Sequence, residues 1–197
     1  MLDFGCASGR VLRHFACQAD GLEVWGCDIS PSHVAWVRRH LPPSIKMFDN
    51  HALPSLPLED NSFDLVYAFS VFSHLDEHEL GWLLELRRIL RPGGFAYLTT
   101  HTDHTWSILK PEHGVYQGLL TRMEGSDPPI ERSPEMFKSP LPAERVVFWA
   151  KGATVYGRNV FHSTDYIRAT WGRFFEISAI HREGAYYQDV ILLRKPA

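Results

Sequence analysis

The sequence has few cysteines, no long apolar run and no block of like charge. Its three cysteines, Cys6, Cys17 and Cys27, lack the C-x-x-C spacing of a zinc or redox site, and an odd number does not suit a disulfide framework. The longest apolar stretches, residues 65–69 and 146–150, are far shorter than the roughly 20 residues that span a bilayer. Lysine and arginine total 20 against 23 acidic residues, which disfavours electrostatic binding of nucleic acid.

The amino-terminal residues also lack the basic segment and the apolar core of a secretory signal. Together with the unpaired cysteines, this predicts a reduced, cytoplasmic setting away from the membrane. The 197 residues are 45% hydrophobic and contain no repeat or linker, so we expect a single domain over residues 1–197.

Strand-like and helix-like segments alternate over the first hundred residues, which is typical of an α/β fold with a mostly parallel sheet. Strands are expected at residues 1–4, 23–27, 44–48, 63–71 and 95–100, with an antiparallel C-terminal pair at 174–180 and 188–194. A turn at residues 92–94 would lead into the fifth strand.

Helix signals lie between these strands. Helices are expected at residues 9–19, after Ser30 and Pro31, after an acidic capping box of Asp76 and Glu79, and from Ser163 or Thr164 to about Gly172. The inner side of the third helix would consist of Leu80, Leu83, Leu84 and Leu90.

Residues 102–162 lose this alternation and contain six prolines among scattered aromatic residues. A structureless loop of this length is uncommon in a compact domain, so we expect a partly ordered insertion over one end of the sheet. The domain then divides into a cofactor-binding half at 1–101, a substrate-side insertion at 102–162, and a C-terminal helix and strand pair at 163–197.

A glycine turn over residues 3–9 follows the first strand, and the second strand ends in Asp28, nineteen residues after Gly9. Glycine lets the backbone approach a ligand, and a helix start presents free N–H groups. A carboxylate at the end of the second strand can accept hydrogen bonds from both ribose hydroxyls. The spacing is not that of a dinucleotide fingerprint, because Ala7 and Arg10 stand where glycines are required.

The turn, Asp-x-Gly-x-Ala-x-Gly, resembles the first motif of the class I S-adenosylmethionine-dependent methyltransferases. Three further segments are similar to that family at the expected distances: Asp28, residues 61–66 (NSFDLV) and residues 86–94 (LRRILRPGG). The resemblance covers residues 1–101 closely and the final strand pair loosely. It implies a Rossmann-like methyltransferase fold with a seven-stranded, mostly parallel sheet, an antiparallel C-terminal strand pair and S-adenosyl-L-methionine as cofactor.

The resemblance also implies roles for individual residues. The cofactor-binding residues would be Asp3, Gly5, Cys6, Ala7, Gly9, Asp28, Ile29, Asn50, Phe69 and Ser70. In this assignment Asp3 helps to hold the amino group, Asp28 the ribose and Asn50 the adenine edge, with Asp49 as the competitor of Asn50. Cys6 would contribute its backbone only. Phe69 and Ser70 would flank the sulfonium.

Two features depart from the family pattern. Ala7 replaces the usual second glycine and adds a methyl group, so we expect reduced room at the cofactor. Asp3 follows Met1 and Leu2 at once, whereas family members have a longer first strand preceded by one or two helices. We therefore expect the N-terminal helical cap to be missing, through truncation or loss.

Three histidines are candidates for a general base near the carboxyl ends of the fourth and fifth strands: His74, His101 and His104. A structural role for His74 and a solvated turn for the other two, which flank Asp103, are the alternatives. Residues 101, 103 and 104 supply metal-ligand types, but three residues in one turn rarely enclose an ion, so we expect no metal.

The predicted function is transfer of a methyl group to an oxygen or nitrogen nucleophile of a small-molecule or saccharide-linked acceptor. The alternative is a truncated or degenerate methyltransferase fold with weak or no catalysis that acts as a binding partner. An NAD-dependent reductase is disfavoured by Arg10 and by residues 92–94. Neither the acceptor nor the oligomeric state follows from the sequence.

Overall fold

The structure is a computed structural model that describes residues 1–15, 21–152 and 157–197. Within these ranges the strands are β1 (Leu2–Phe4), β2 (Trp25–Asp28), β3 (Lys46–Asp49), β4 (Phe63–Ala68), β5 (Leu90–Thr102), β6 (Gly125–Asp127), β7 (Arg145–Trp149), β8 (Arg158–His162), β9 (Glu176–Ala185) and β10 (Gln188–Arg194). The α-helices are α1 (Pro31–His40), α2 (Glu79–Ile89), α3 (Asp103–Ile108), α4 (Gly114–Thr121) and α5 (Thr164–Thr170).

Seven strands form the main sheet in the order β3-β2-β1-β4-β5-β10-β9. The first five are mutually parallel, and β10 and β9 add antiparallel pairs at one edge. This confirms the predicted α/β fold with its antiparallel C-terminal pair. The order reverses direction at β1 and β4, so the carboxyl ends of these strands open a crevice at the switch point.

The middle region is more regular than the sequence indicates. The last two residues of β5, His101 and Thr102, pair in parallel with Phe161 and His162 of β8, and β7 and β6 continue from β8 as antiparallel neighbours. Helices α3 and α4 cover this second sheet. The shared core consists of Trp106, Leu109, Tyr116, Leu119, Met123, Val146, Phe148 and Phe161. The aromatic residues therefore build a core of their own.

The first predicted helix differs in its described part. Residues 9–15 contain a single 3₁₀ turn at Leu12–His14, and residues 16–20 of the prediction lie outside the described ranges. The second helix begins at Pro31 as predicted and buries Val34 and Val37. The Ser30 hydroxyl bonds that of Ser32 instead of a backbone N–H.

The predicted capping box before α2 is wrong. His78 is the residue before the helix, and Glu79 is its first residue, buried and turned inward. Asp76 accepts hydrogen bonds from the guanidinium groups of Arg145 and Arg158. Two arginines of the second sheet therefore replace the backbone N–H as partners of this carboxylate.

The inner side of α2 is rotated from the predicted one. Leu83 is fully buried, as is Leu90 just after the helix, but Leu80 and Leu84 are 38% and 48% exposed. The other buried apolar residues of this helix are Trp82, Leu86 and Ile89. The prediction followed leucines only, whereas the larger Trp82 and the β-branched Ile89 define the apolar stripe.

Residues 92–94 are part of β5 instead of a separate turn. Gly93 has φ +80°, and the pairing with β4 shifts register between Phe63 and Leu65. The glycines therefore bend a continuous strand at an irregularity. At the C-terminal side, the Ser163 hydroxyl accepts from the Tyr166 N–H and caps α5, as predicted. No helix of the described ranges is long and apolar enough to cross a membrane; the cytoplasmic setting stays a prediction.

Candidate active site

Two adjoining cavities lie at the carboxyl ends of β1, β2 and β4. The larger, about 570 Å³, is lined mainly by residues that follow these strands, and the smaller, about 290 Å³, lies on the other side of the glycine turn. Both share Gly5, Ala7, Arg10 and Phe69. Every predicted cofactor-binding residue except Gly9 lines one of them: Asp3 and Cys6 the smaller, and Asp28, Ile29, Asn50 and Ser70 the larger.

Backbone bonds fix the glycine turn against β2. The N–H groups of Gly5 and Cys6 both donate to the Cys27 carbonyl at 2.9 Å. Gly5 has φ +78°, and a Cβ there would lie 2.4 Å from Cγ2 of Val71. Gly9 has φ +72° and packs against Leu41 and Val37 of the α1 side, outside the cavities. Gly9 thus permits close packing and the turn, and the structure gives it no place in the cavity wall.

Asp28 connects the end of β2 to the same turn. One carboxylate oxygen accepts the Ala7 N–H at 2.8 Å, and the other accepts the Ser30 N–H at 2.9 Å. His33 Nδ1 lies 3.4 Å from the second oxygen. A carboxylate has about four acceptor positions, so these bonds leave capacity for ligand hydroxyls.

Ala7, which stands where the family usually has glycine, has φ +46°. The left-handed conformation of the motif is therefore kept with an alanine, although it is uncommon for a residue with a Cβ. Ala7 lines both cavities.

Two acidic groups of the smaller cavity, the Asp3 carboxyl and the Cys6 thiol, are buried. Asp3 is 3% exposed, and burial raises the pKa of its carboxyl to about 7. Burial also raises the pKa of the Cys6 thiol well above its usual value. The thiol is thus a poor nucleophile, in agreement with the passive side chain expected for Cys6.

Asn50 and Asp49 differ clearly in position. Asn50 is buried and lines the larger cavity, whereas Asp49 is exposed and does not line it. The Asn50 amide nitrogen donates to the His51 carbonyl at 3.0 Å, and its side-chain oxygen has no partner within the described residues. The placement favours Asn50 over its competitor.

The three candidate histidines lie in three different environments. His74 lines the larger cavity, and its Nδ1 lies 2.5 Å from the carbonyl oxygen of Arg158. A carbonyl can only accept, so Nδ1 carries the proton and Nε2 keeps a lone pair. Burial lowers the pKa of His74, although the bond to Arg158 acts in the opposite direction. The imidazole is therefore neutral near pH 7.

His101 and His104 lie away from the cavities that hold the predicted cofactor residues. His101 is 2% exposed between Phe161 and Tyr187, because β5 continues two residues beyond the predicted end and pairs with β8. His104 lies on α3 at a separate surface depression, 3.2 Å from Glu183. Their predicted direct role finds no support in this placement.

Asp103, the third member of that turn, accepts from both the backbone N–H and the hydroxyl of Thr164. It is thus committed to anchoring α5. Within the described ranges no group of three or more histidine, cysteine or acidic side chains is arranged to hold a metal ion.

Sequence reasoning missed several cavity residues. His33, His51, Leu75 and Trp82 line the larger cavity beside the predicted residues. Adjacency to Asp28, Asn50 and His74 is a signal for the first three, since each lies within five positions of a predicted residue. Trp82 has no predicted site residue close to it in the sequence; it lies on α2 and lines the cavity from there.

Residues 2–98 match a family model described as a methyltransferase domain. The chain is 26% identical over 119 residues to the malonyl-[acyl-carrier protein] O-methyltransferase of Hahella chejuensis (strain KCTC 2396). This match covers 60% of this chain and 42% of that protein. It is 34% identical over 107 residues to a probable S-adenosylmethionine-dependent methyltransferase of Mycobacterium tuberculosis (strain ATCC 25618 / H37Rv), which covers 54% of this chain and 37% of that protein. The matches thus span less than half the length of these relatives.

A similar solved structure is the 1,6-didemethyltoxoflavin-N1-methyltransferase of Burkholderia thailandensis with bound 1,6-didemethyltoxoflavin and S-adenosylhomocysteine. It superposes with a TM-score of 0.63 at 13% identity, covering 100% of this chain and 70% of that chain. At this identity the likeness concerns the fold alone.

Proposed function

Because the chain belongs to the class I S-adenosylmethionine-dependent methyltransferase family, we propose that it transfers a methyl group to an oxygen or nitrogen atom of a small-molecule or saccharide-linked acceptor. One observation carries the proposal: the glycine turn and the Asp28 carboxylate line the same cavity and are hydrogen-bonded to each other. S-adenosylmethionine supplies an activated methyl carbon. The task of the chain is therefore to bind, to exclude water and to align the acceptor.

The residues around the cavities fit this cofactor. In our proposal Asp28 accepts the ribose hydroxyls, Asn50 meets the adenine edge, and Asp3 receives the amino group in the smaller cavity. Gly5, Cys6 and Ala7 provide the backbone that passes the ligand, with Ile29 beside the adenine. Phe69 lines both cavities and Ser70 lines the larger one, and we place the sulfonium beside these two residues.

His74 is the candidate general base. It is neutral near pH 7, its Nδ1–H is used by the Arg158 carbonyl, and Nε2 keeps the lone pair that can take a proton. A base assists an acceptor that carries a proton on the attacking atom, such as a hydroxyl or an amine. This supports an oxygen or nitrogen nucleophile. The similarity to a protein named as an O-methyltransferase agrees with that class.

We further infer that residues 102–162 form the acceptor side of a single domain. Their core is separate from that of the main sheet, and Arg158 at the start of β8 holds His74 at the cavity. The residues on either side, 1–101 and 163–197, would serve the cofactor and complete the sheet.

The competing function is a methyltransferase-like fold that binds the cofactor weakly and acts as a binding partner. The observation that favours it is Ala7, which lines both cavities at a position where the family usually has glycine. Cofactor affinity separates the two functions.

The decisive test is calorimetric titration of the purified chain with S-adenosylhomocysteine, with NAD as the negative control. We expect a dissociation constant on the order of 1 μM. The Asp28→Ala variant should bind at least about a hundredfold more weakly, because the two proposed hydrogen bonds from the ribose hydroxyls to the charged carboxylate are lost. Asp49→Ala is the matched control, since Asp49 pairs with Asp28 across β2 and β3 but lies outside the cavity.

Unchanged affinity in Asp28→Ala would contradict the assignment of the site. A folded wild-type chain that binds no S-adenosylhomocysteine would favour the weakly binding alternative.

A further inference from the structure

Ser70, in the cavity wall after β4, has a backbone conformation that is uncommon for its residue type. Its φ is +56°, in the left-handed region that favours glycine. The residues on both sides also line the cavity. The Phe69 ring packs between Tyr67 and Tyr97, and Val71 is the residue that contacts Gly5. The conformation of Ser70 thus sets the path of the chain between two cavity residues.

Two buried side chains from distant strands hold Ser70 in this conformation. The Thr99 hydroxyl accepts the Ser70 N–H at 2.7 Å. The side-chain oxygen of Gln188 accepts the Ser70 hydroxyl at 3.1 Å and the Thr99 hydroxyl at 2.6 Å. Thr99 is fully buried and Gln188 is 5% exposed, so the bond between these two side chains is shielded from water, whereas Ser70 itself is exposed.

The other end of the Gln188 amide is also fixed. Its nitrogen lies 3.2 Å from Nε2 of His101 and 3.4 Å from the Ser73 hydroxyl. Burial lowers the pKa of His101 to about 3, so the ring stays neutral and Nε2 can accept this N–H. His101 stacks on Phe161 of β8 with ring centroids 4.8 Å apart. The histidine thus orients Gln188 instead of meeting a ligand.

We propose that Gln188 and Thr99 are positioning residues for cofactor binding, which hold Ser70 in its left-handed conformation and so fix Phe69 and Val71 in the cavity wall. The inference rests on the proposed function, because it assumes that the cofactor occupies this cavity. Neither Gln188 nor Thr99 lines the cavity, so both act through Ser70. Nothing in the glycine-turn motif specifies them.

The test measures S-adenosylhomocysteine affinity by calorimetry in a double-mutant cycle. Gln188→Met and Thr99→Val should each weaken binding about tenfold, the scale of one lost hydrogen bond. Ser70→Gly adopts a positive φ without strain. In the Ser70→Gly background, the same two substitutions should therefore change affinity less than about twofold. Thr99→Ser keeps the hydroxyl and should bind like the wild type.

Gln117→Met is the matched control, since Gln117 is exposed on α4. Equal losses of affinity with and without Ser70→Gly would overturn the inference, because they would mean that Gln188 and Thr99 only stabilise the fold. If Gln188→Met does not fold, the Thr99→Val and Thr99→Ser pair still completes the cycle.

A second readout does not need a ligand. Hydrogen exchange of the Ser70 amide should be slow in the wild type and in Thr99→Ser, and about tenfold faster in Thr99→Val. A wild-type chain that shows this pattern but binds no S-adenosylhomocysteine contradicts the proposed function and leaves the positioning of Ser70 supported. A Ser70 amide that exchanges equally fast in all three proteins refutes the positioning itself.

Discussion

The two walls of the larger cavity are held in different ways. The wall formed by the glycine turn and β2 is fixed by neighbouring segments: the Cys27 carbonyl receives two backbone N–H groups, and Asp28 receives two more. The wall after β4 is fixed by groups that come from far along the chain, including the Gln188 side chain and the Arg158 backbone carbonyl that holds His74. The first wall is a property of a short motif, whereas the second depends on the whole fold.

The support of the second wall extends into a partly buried ionic cluster. Glu79 accepts bonds from Arg145, from the indole N–H of Trp171 and from His162. Arg145 and Arg158 both bond Asp76, two residues after His74. This cluster joins α2 to β7 and β8. Substitutions in it should affect the second wall and leave the glycine turn intact.

The largest expected effect is that of Glu79→Gln. The substitution keeps the shape but removes the buried charge of Glu79, so that Asp76 is the remaining ion-pair partner of Arg145; this should lower the free energy of unfolding by about 3 kcal/mol. Glu77→Gln is the matched control, since Glu77 is 68% exposed at its side chain and should change stability by less than about 1 kcal/mol. Urea denaturation at pH 7 measures both.

The same variant has a predicted pH dependence. Burial acts to raise the pKa of Glu79, but His162, Trp171 and Arg145 outweigh it and hold the pKa below its usual value of 4.5. The stabilisation by the Glu79 charge is therefore complete above pH 4.5 and is lost as the pH falls through the lower folded value. A difference between wild type and Glu79→Gln that grows on acidification would contradict this sign.

Gly5→Ala tests the point at which the two walls touch. The new Cβ would lie 2.4 Å from Val71 at a φ of +78°, so clash and strain together should cost about 2 to 3 kcal/mol. Gly93→Ala has a similar φ, +80°, but its nearest contact is Arg194 at 3.8 Å, so strain alone should cost about 1 kcal/mol. Thermal unfolding compares the two variants. Equal losses of stability would show that the Val71 side chain moves away from the new Cβ at no cost in free energy.

The smallest expected effect is a pH dependence at Asp3, which lines the smaller cavity on the other side of the glycine turn. Asp3, with a pKa of about 7, is ionised above that pH. If the ionised carboxylate holds the ligand amino group, S-adenosylhomocysteine affinity should rise about tenfold from pH 6 to pH 8. Asp3→Asn should flatten this dependence and so separate it from the titration of nearby histidines. Titration calorimetry at three pH values gives the answer.

The contribution of Asp3 to folding stability should change with pH in the opposite direction to the ligand affinity. An unfolded aspartate loses its proton near pH 4 and the folded Asp3 near pH 7, so the folded state binds more protons between these values. The contribution of Asp3 to stability therefore falls as the pH rises from about 4 to 7. A wild-type advantage over Asp3→Asn that increases over this range would contradict the raised pKa.

The first wall could be predicted from the sequence because its signals are local. Glycines at fixed spacing, an aspartate at a strand end and an asparagine after the third strand are all visible within a few residues. Their meeting at one cavity follows from the parallel order of β1 and β2. Gly9 shows the limit of such reasoning, because it belongs to the motif but packs against α1.

The second wall could not be predicted in the same way. Gln188 reaches Ser70 only because β10 runs antiparallel to β5 in a register that sets Asp189 opposite Thr100. His101 looked catalytic because the strand was expected to end before it; pairing with β8 extends the strand and buries the ring. These outcomes depend on strand pairing over more than 50 residues, which local patterns do not carry.

Strand β5 joins the second sheet to the main one over a short length. In the described part of the chain, the residue pairs His101–Phe161 and Thr102–His162 join β5 to β8. Further ties are the Val160 N–H, which donates to the Ser73 carbonyl, and the bonds of Arg145 and Arg158 to the Glu79 and Asp76 side chains. Because this backbone seam is short, the position of the second sheet beside the cavity depends strongly on the side-chain bonds of Arg145 and Arg158 to Glu79 and Asp76.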